Sequence, residues 1–175
     1  MQRKIEKRFD SLQVKTDRLL ERLKGYSDEQ LNQIPSTGGW SANQIVCHLM
    51  KLEEAVLKYM QKKLSFDKPI PKAGLKGVLR YWAMKAYNVV GIKIKAPAIL
   101  AELPEQSDIG GLKERWMTER GALKQYMLSL PDETLKGELF KHPMAGKISG
   151  EYMVAFLEMH LERHRKQLER TLLSV

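Results

Sequence analysis

With 175 residues the chain is sized for one domain, read as 1–175, and a core of that size is stable without disulfides. Its lone cysteine, Cys47, excludes an internal disulfide and fits a reducing cytoplasm. The charged start from Met1 to Arg8 lacks the apolar stretch of a signal peptide, and no run approaches the roughly 18 apolar residues of a membrane span. The formal charge of +9 is concentrated, because residues 58–95 hold ten bases and one acid and so account for all of it. Such a surface attracts anions (nucleic acid, an anionic lipid surface or a small anionic substrate), or is simply a solvated lysine-rich face.

Ile5, Phe9, Leu12, Thr16, Leu19 and Leu23 recur every three or four residues, which predicts an amphipathic helix stopped by Gly25. The stretch Ser27–Leu31 can start a helical turn before Pro35, and Thr37-Gly38-Gly39 reads as a loop. Ser41 with Gln44 three residues later forms a capping-box pattern. The second long helix behind it carries Ile45, His48, Leu49, Leu52, Val56 and Tyr59, and fades near Leu64. A helix over 75–94 lies inside a long basic connection, 65–105, that prolines punctuate. From Ser107 the spacing of Leu112, Trp116, Leu123 and Met127 predicts a third long helix, whose stripe Glu119 and Arg120 interrupt. Pro131 ends it, Asp132–Leu135 forms a short turn, and His142–Gly146 reads as a loop. Ser149 caps the last helix, which runs to about Leu173 through Phe156, His160, His164 and Leu168. No segment alternates apolar and polar residues between turn signals, so no strands are expected. The fold class is therefore all-α, a bundle of four long helices with an extra one in the connection between helices two and three.

Three of the four histidines fall on core-facing positions. His160 and His164 are four residues apart, hence one turn apart on one helix face, a spacing at which two imidazoles can grip one ion. His48 sits on the inward side of helix two and joins them if the bundle brings that helix against the last one. Three neutral imidazoles leave coordination positions open and suit zinc, nickel, iron or copper better than magnesium or calcium. The alternative is a set of ordinary hydrogen-bonded core histidines. Three of them on core stripes speak for a shared ion more than one alone would, because burying several imidazoles without partners is costly, and both readings stay open on the spacing. Cys47, rotated about 100° from His48, is not expected to join. His142, before Pro143, reads as structural or pocket-lining. Glu119 could orient a ligand imidazole or act on a bound water. The plainer reading, which the pattern favours, sets it at the edge of its stripe, exposed or paired with an arginine.

These features resemble a known family, the DinB-like (DNA-damage-inducible, YfiT-like) metal-binding proteins. The resemblance rests on Gly39-Trp40-Ser41-Ala42-Asn43-Gln44-Ile45-Val46-Cys47-His48-Leu49, on His142-Pro143 with Gly146, Ile148 and Ser149, and on Phe156-Leu157, His160, His164 and Gln167-Leu168. The stretch Leu130-Pro131-Asp132-Glu133-Thr134-Leu135 also fits. The resemblance implies an up-down-down-up four-helix bundle and a divalent transition metal (zinc, nickel or iron) on His48, His160 and His164. It also implies a frequent homodimer, and chemistry of the thiol-dependent transferase or metal-dependent hydrolase type, with a low-molecular-weight thiol as a candidate cofactor.

The function expected is thus that of a cytoplasmic metal-dependent enzyme acting on a small, anionic substrate. The alternatives are a metal-binding protein without turnover, or a nucleic-acid-binding stress protein suggested by the charge and by Tyr59, Phe66, Tyr81, Trp82 and Tyr87 among the lysines. The sequence holds no helix-turn-helix, RNA-binding sheet or zinc finger, which argues against nucleic acid.

Overall fold

A computed structural model describes residues 1–90, 100 and 102–174, with the backbone alone at 89 and 90. Seven helices whose bounds lie among the described residues, and one hairpin, follow in order: α1 (Gln2–Glu21), α2 (Asp28–Asn32), α3 (Ala42–Leu64), α4 (Gly74–Val90), α5 (Ile109–Ser129), α6 (Asp132–Lys136), β1 (Phe140–His142), β2 (Gly146–Ile148) and α7 (Gly150–Leu172).

The helix starts follow from side chains that satisfy otherwise orphaned backbone N–H groups. Ser41 accepts from the Gln44 N–H while the Gln44 side chain accepts from the Ser41 N–H, so the predicted capping box forms. Ser27 and Gln30 build a second box at α2. Asp108 accepts from the Gly111 N–H at α5, and Ser149 from the Tyr152 N–H at α7. The apolar stripes face one core. Ile5, Phe9, Leu12 and Leu19 of α1, Ile45, Val46, Met50 and Met60 of α3, Trp116, Leu123 and Met127 of α5, and Met153, Val154 and Leu168 of α7 are all buried. Each such side chain contributes about 1.5–3 kcal/mol by leaving water.

Side-chain contacts give the relative direction of four pairs among the long helices. Arg8 meets Glu151 and Glu158, Lys15 meets Glu158 and Arg22 meets Glu169, so α1 and α7 run parallel. Asn43 donates to the Ser107 carbonyl and Glu53 accepts from Trp116 and Arg120, so α3 and α5 also run parallel. Asp10 pairs with Lys124 while Gln2 reaches the Leu128 carbonyl, which makes α1 and α5 antiparallel. His48 meets His160 and Tyr59 packs on Phe140, close to the start of α7, so α3 and α7 are antiparallel too. The result is the expected up-down-down-up bundle, in which α3 lies between α5 and α7.

One expectation is corrected. Residues 140–148 are a hairpin, with Phe140 opposite Ile148 and His142 opposite Gly146, where the sequence reads as strandless. Three residues a side are too few to display alternation. The tight reversal relies on Gly146 at φ 77°, where L side chains are disfavoured. The connection helix ends its described part at Val90, and the expected residues 91–94 lie outside the described residues.

Candidate metal centre

His48 comes from the middle of α3, and His160 and His164 from consecutive turns of α7. One ligand nitrogen from each lies within 4.8 Å of the other two. The sequence expectation that these three converge is met. Among the described residues this is the group of metal-ligating side chains that the fold brings together.

The surroundings decide which ring nitrogen is available. His48 Nδ1 lies 3.0 Å from the Leu100 carbonyl oxygen, which can only accept, so Nδ1 carries the proton and Nε2 is a bare acceptor. Nε2 of His48 then faces Nε2 of His160 at 3.1 Å. His164 Nδ1 lies 2.9 Å from the Gln167 side-chain oxygen, which likewise leaves His164 Nε2 as the free nitrogen. Such partners fix the tautomer and the orientation of a ligating ring.

All three rings are held neutral. Burial lowers His48, with the charge of Lys51 acting in the same sense and the Leu100 hydrogen bond opposing it. Burial and then the neighbouring rings push His160 well below the ordinary histidine range. Burial and the charge of His48 take His164 down to about 3. Neutral imidazoles at physiological pH are the form a transition metal takes. His48 and His164 are buried, and His160 keeps part of its surface exposed.

Aromatic rings wall the cluster. Trp40, from the turn before α3, sits 4.7 Å from His48 and stacks at 6.1 Å on His164. Phe156, one turn before His160 on α7, lies 5.4 Å from it, and His142 contacts Phe156 edge-on at 4.5 Å. Trp40 and Phe156 are themselves part-buried, as is His160. The donor set, three neutral nitrogens and no carboxylate, fits a borderline transition metal rather than an oxygen-seeking cation.

The other candidates lie elsewhere. Cys47 faces a cleft with Leu112 and Arg115 between α3 and α5, where burial raises its thiol and keeps it protonated. Glu119 is half-buried on α5, and its charge acts on exposed Lys58. The interrupted stripe of α5 instead buries Arg120, which forms a two-pronged pair with Glu53 of α3 at 2.5 and 3.0 Å. Trp116 Nε1 donates to the same Glu53 at 2.9 Å, and Arg120 also donates to Thr16 of α1 at 2.7 Å. Sequence reasoning passed over Glu53. Its position next to Leu52 on α3, three residues before Val56, was the available signal. The roles of Trp40, Gln167 and the Leu100 carbonyl were also missed, the last because a main-chain oxygen carries no residue-type signature.

The basic stretch is partly engaged within the fold. Lys58 pairs with Glu54, Lys63 donates to the Glu138 carbonyl, Lys72 meets Glu133, and Arg80 pairs with Glu138 at 3.1 Å. Among the described residues no helix is long and apolar enough to cross a membrane.

Comparisons with known proteins agree with this architecture. The chain is similar to the protein YuaE of Bacillus subtilis (strain 168), at 28% identity over 149 residues that cover 84% of this chain and 86% of that protein. No solved structure matches it. Residues 11–168 match the model of the DinB superfamily, a span that takes in all three histidines, the second half of α1, all of α3 and α5, and α7 as far as Leu168. The chain therefore belongs to the DinB superfamily.

Proposed function

We propose that the protein is a metal-dependent enzyme in which His48, His160 and His164 hold one divalent transition metal, and that it acts on a small, anionic molecule by thiol transfer or hydrolysis. The observation that carries this reading is the convergence of three neutral imidazole nitrogens within 4.8 Å, two of them with the second ring nitrogen already tied. A metal on three histidines retains open positions and lowers the pKa of a thiol or a water that binds there. The chain's own groups do the rest. Leu100 and Gln167 orient two rings, Trp40 and Phe156 pack against the cluster, and the lack of a carboxylate among the ligands leaves the centre strongly electrophilic. This route requires no protein nucleophile, in keeping with a Cys47 thiol that is buried and held protonated.

The convergence of the three histidines favours this reading over a nucleic-acid surface; of the basic stretch, Lys63 and Arg80 turn to acceptors of the fold, while Lys58 and Lys72 stay exposed in surface ion pairs. The test is a turnover screen of metal-loaded protein with thiol and electrophile pairs and with simple esters and amides, run beside chelator-stripped protein. Turnover that appears on loading and disappears on stripping supports the proposal. Equal background rates in both forms across the screen contradict it.

A further inference from the structure

The connection helix α4 has two faces of different character. Residues advance about 100° each around a helix, which sets Gly77, Arg80, Tyr81, Met84, Tyr87 and Asn88 on one side. That side is anchored. Arg80 donates to Glu138 and to the Lys147 carbonyl of the hairpin, and Tyr81 stacks on Tyr152 of α7 at 4.4 Å. Met84 is buried, and Asn88 donates to the Met159 carbonyl. The opposite side carries Leu75, Leu79, Trp82, Ala83 and Ala86, spaced as one helical stripe and all exposed. Its three large side chains are 82, 70 and 56% exposed, so an apolar stripe of the kind that ordinarily faces a core faces outward instead.

The charges complete the pattern. Exposed Lys76 and Lys85 flank the stripe, about 100° from Leu75 on one side and about 80° on the other. Lys85 Nζ lies 4.9 Å from the centre of the Trp82 ring. Exposed Lys68 and Lys72 lead into the helix, Lys72 in a surface pair with Glu133, and the sequence has no acid between Asp67 and Glu102.

The occupant of this face has to answer both the apolar stripe and its basic edges. Nucleic acid answers the lysines but not Leu75 and Leu79. A second copy packed through the same face covers the leucines, but it sets Lys76 and Lys85 of one copy against those of the other with no acid on the helix to meet them. An anionic lipid surface answers both, because its acyl boundary takes leucine and tryptophan while lysines at the edges of the stripe extend to the headgroups.

We infer that the outward face of α4 is a membrane-surface contact: Leu75, Leu79 and Trp82 enter the headgroup boundary of an anionic lipid layer, and Lys76 and Lys85 pair with its headgroups. The helix lies on the layer and does not cross it, in keeping with the lack of a long enough apolar helix among the described residues. The contact is independent of the metal-site reading.

The experiment uses the full chain with vesicles of phosphatidylcholine, either alone or with about one-quarter phosphatidylserine. Binding is read by cosedimentation, and insertion by quenching of tryptophan fluorescence with acyl-brominated lipid. Binding to the mixed vesicles is expected to be about tenfold or more tighter than to phosphatidylcholine alone, with quenching that Trp82→Phe removes. Leu75→Ser with Leu79→Ser is expected to weaken binding about tenfold, and Lys76→Glu with Lys85→Glu about as much. A wild type that binds neither kind of vesicle overturns the inference, as does unchanged binding in the leucine pair. A dimer in sedimentation that the leucine pair abolishes, without vesicle binding, overturns it in favour of a second copy. Salt-dependent binding to polyglutamate without vesicle binding overturns it in favour of an acidic protein. Should the leucine pair lose its helical circular dichroism, the lysine pair and the Trp82 quenching decide, and unchanged binding with no quenching overturns the inference.

Discussion

His48 Nε2 lies 3.1 Å from His160 Nε2, and only one of these atoms can bring the proton. His48 has spent its own on the Leu100 carbonyl through Nδ1, so His160 donates from Nε2 and His48 accepts. In the metal-free protein His160 is therefore the Nε2–H tautomer. Ligation through that same nitrogen requires its proton to leave. Nitrogen-15 NMR of the histidine rings checks this, with Nε2–H expected for His160 without metal and loss of that proton on adding zinc. An Nδ1–H ring at His160 in the metal-free protein contradicts the arrangement.

Gln167 touches the centre only through His164 Nδ1, at 2.9 Å. Removing a partner of this kind typically costs about 10–100-fold in metal affinity while leaving the ligands in place. Gln167→Ala is expected to show that loss in competition with a chelator, with its thermal unfolding little changed because the side chain is only half-buried. Unaltered affinity would mean that the hydrogen bond plays no part in orienting His164.

Glu53 and Arg120 are each only 4% exposed at the side chain and bridge α3 to α5. Glu53→Ala strands a buried guanidinium and leaves Trp116 Nε1 without its acceptor, a loss expected to destabilise the protein by about 3–5 kcal/mol. Urea unfolding followed by tryptophan fluorescence measures it. The double variant Glu53→Leu with Arg120→Met removes both charges together and is expected to recover much of the loss.

Burial sets the pH response of the metal-free protein. His142 and His164 are held down to about 4 and about 3, both by burial first, and His160 also lies well below its usual range. The unfolded chain protonates these rings near 6.5, the folded chain only at much lower pH. Between those values the unfolded state binds more protons, so stability is full above about pH 6.5 and is lost as pH falls toward about 3–4. Urea midpoints of stripped protein at about pH 7.5, 6 and 5 are expected to fall in that order. A midpoint that rises on acidification contradicts the burial of these rings.

Much of this was legible beforehand, for identifiable reasons. The stripe Ile5, Phe9, Leu12, Thr16 and Leu19 specified α1 because each residue is buried in one core, and Ser41 with Gln44 marked the start of α3 through a local hydrogen-bond pair. His160 and His164 were readable as a pair because helical spacing is a short-range property. That His48 joins them depends on α3 packing antiparallel to α7, a long-range fact that periodicity cannot carry and that the family resemblance supplied. The hairpin at Phe140–Ile148 stayed hidden because its strands are held by tertiary contacts and not by pattern. Arg120 interrupted its stripe for the same kind of reason, since its partner Glu53 is remote in sequence and neither residue identifies the other.

Metal content is the most direct measurement. Protein purified from cells grown with transition metals available, and analysed by mass spectrometry of its elements, is expected to carry about one zinc, nickel or iron ion per chain. His160→Ala is expected to lose it while keeping its helical circular dichroism. A folded wild type that stays metal-free after growth and after direct titration with zinc, nickel and iron(II) contradicts the central claim.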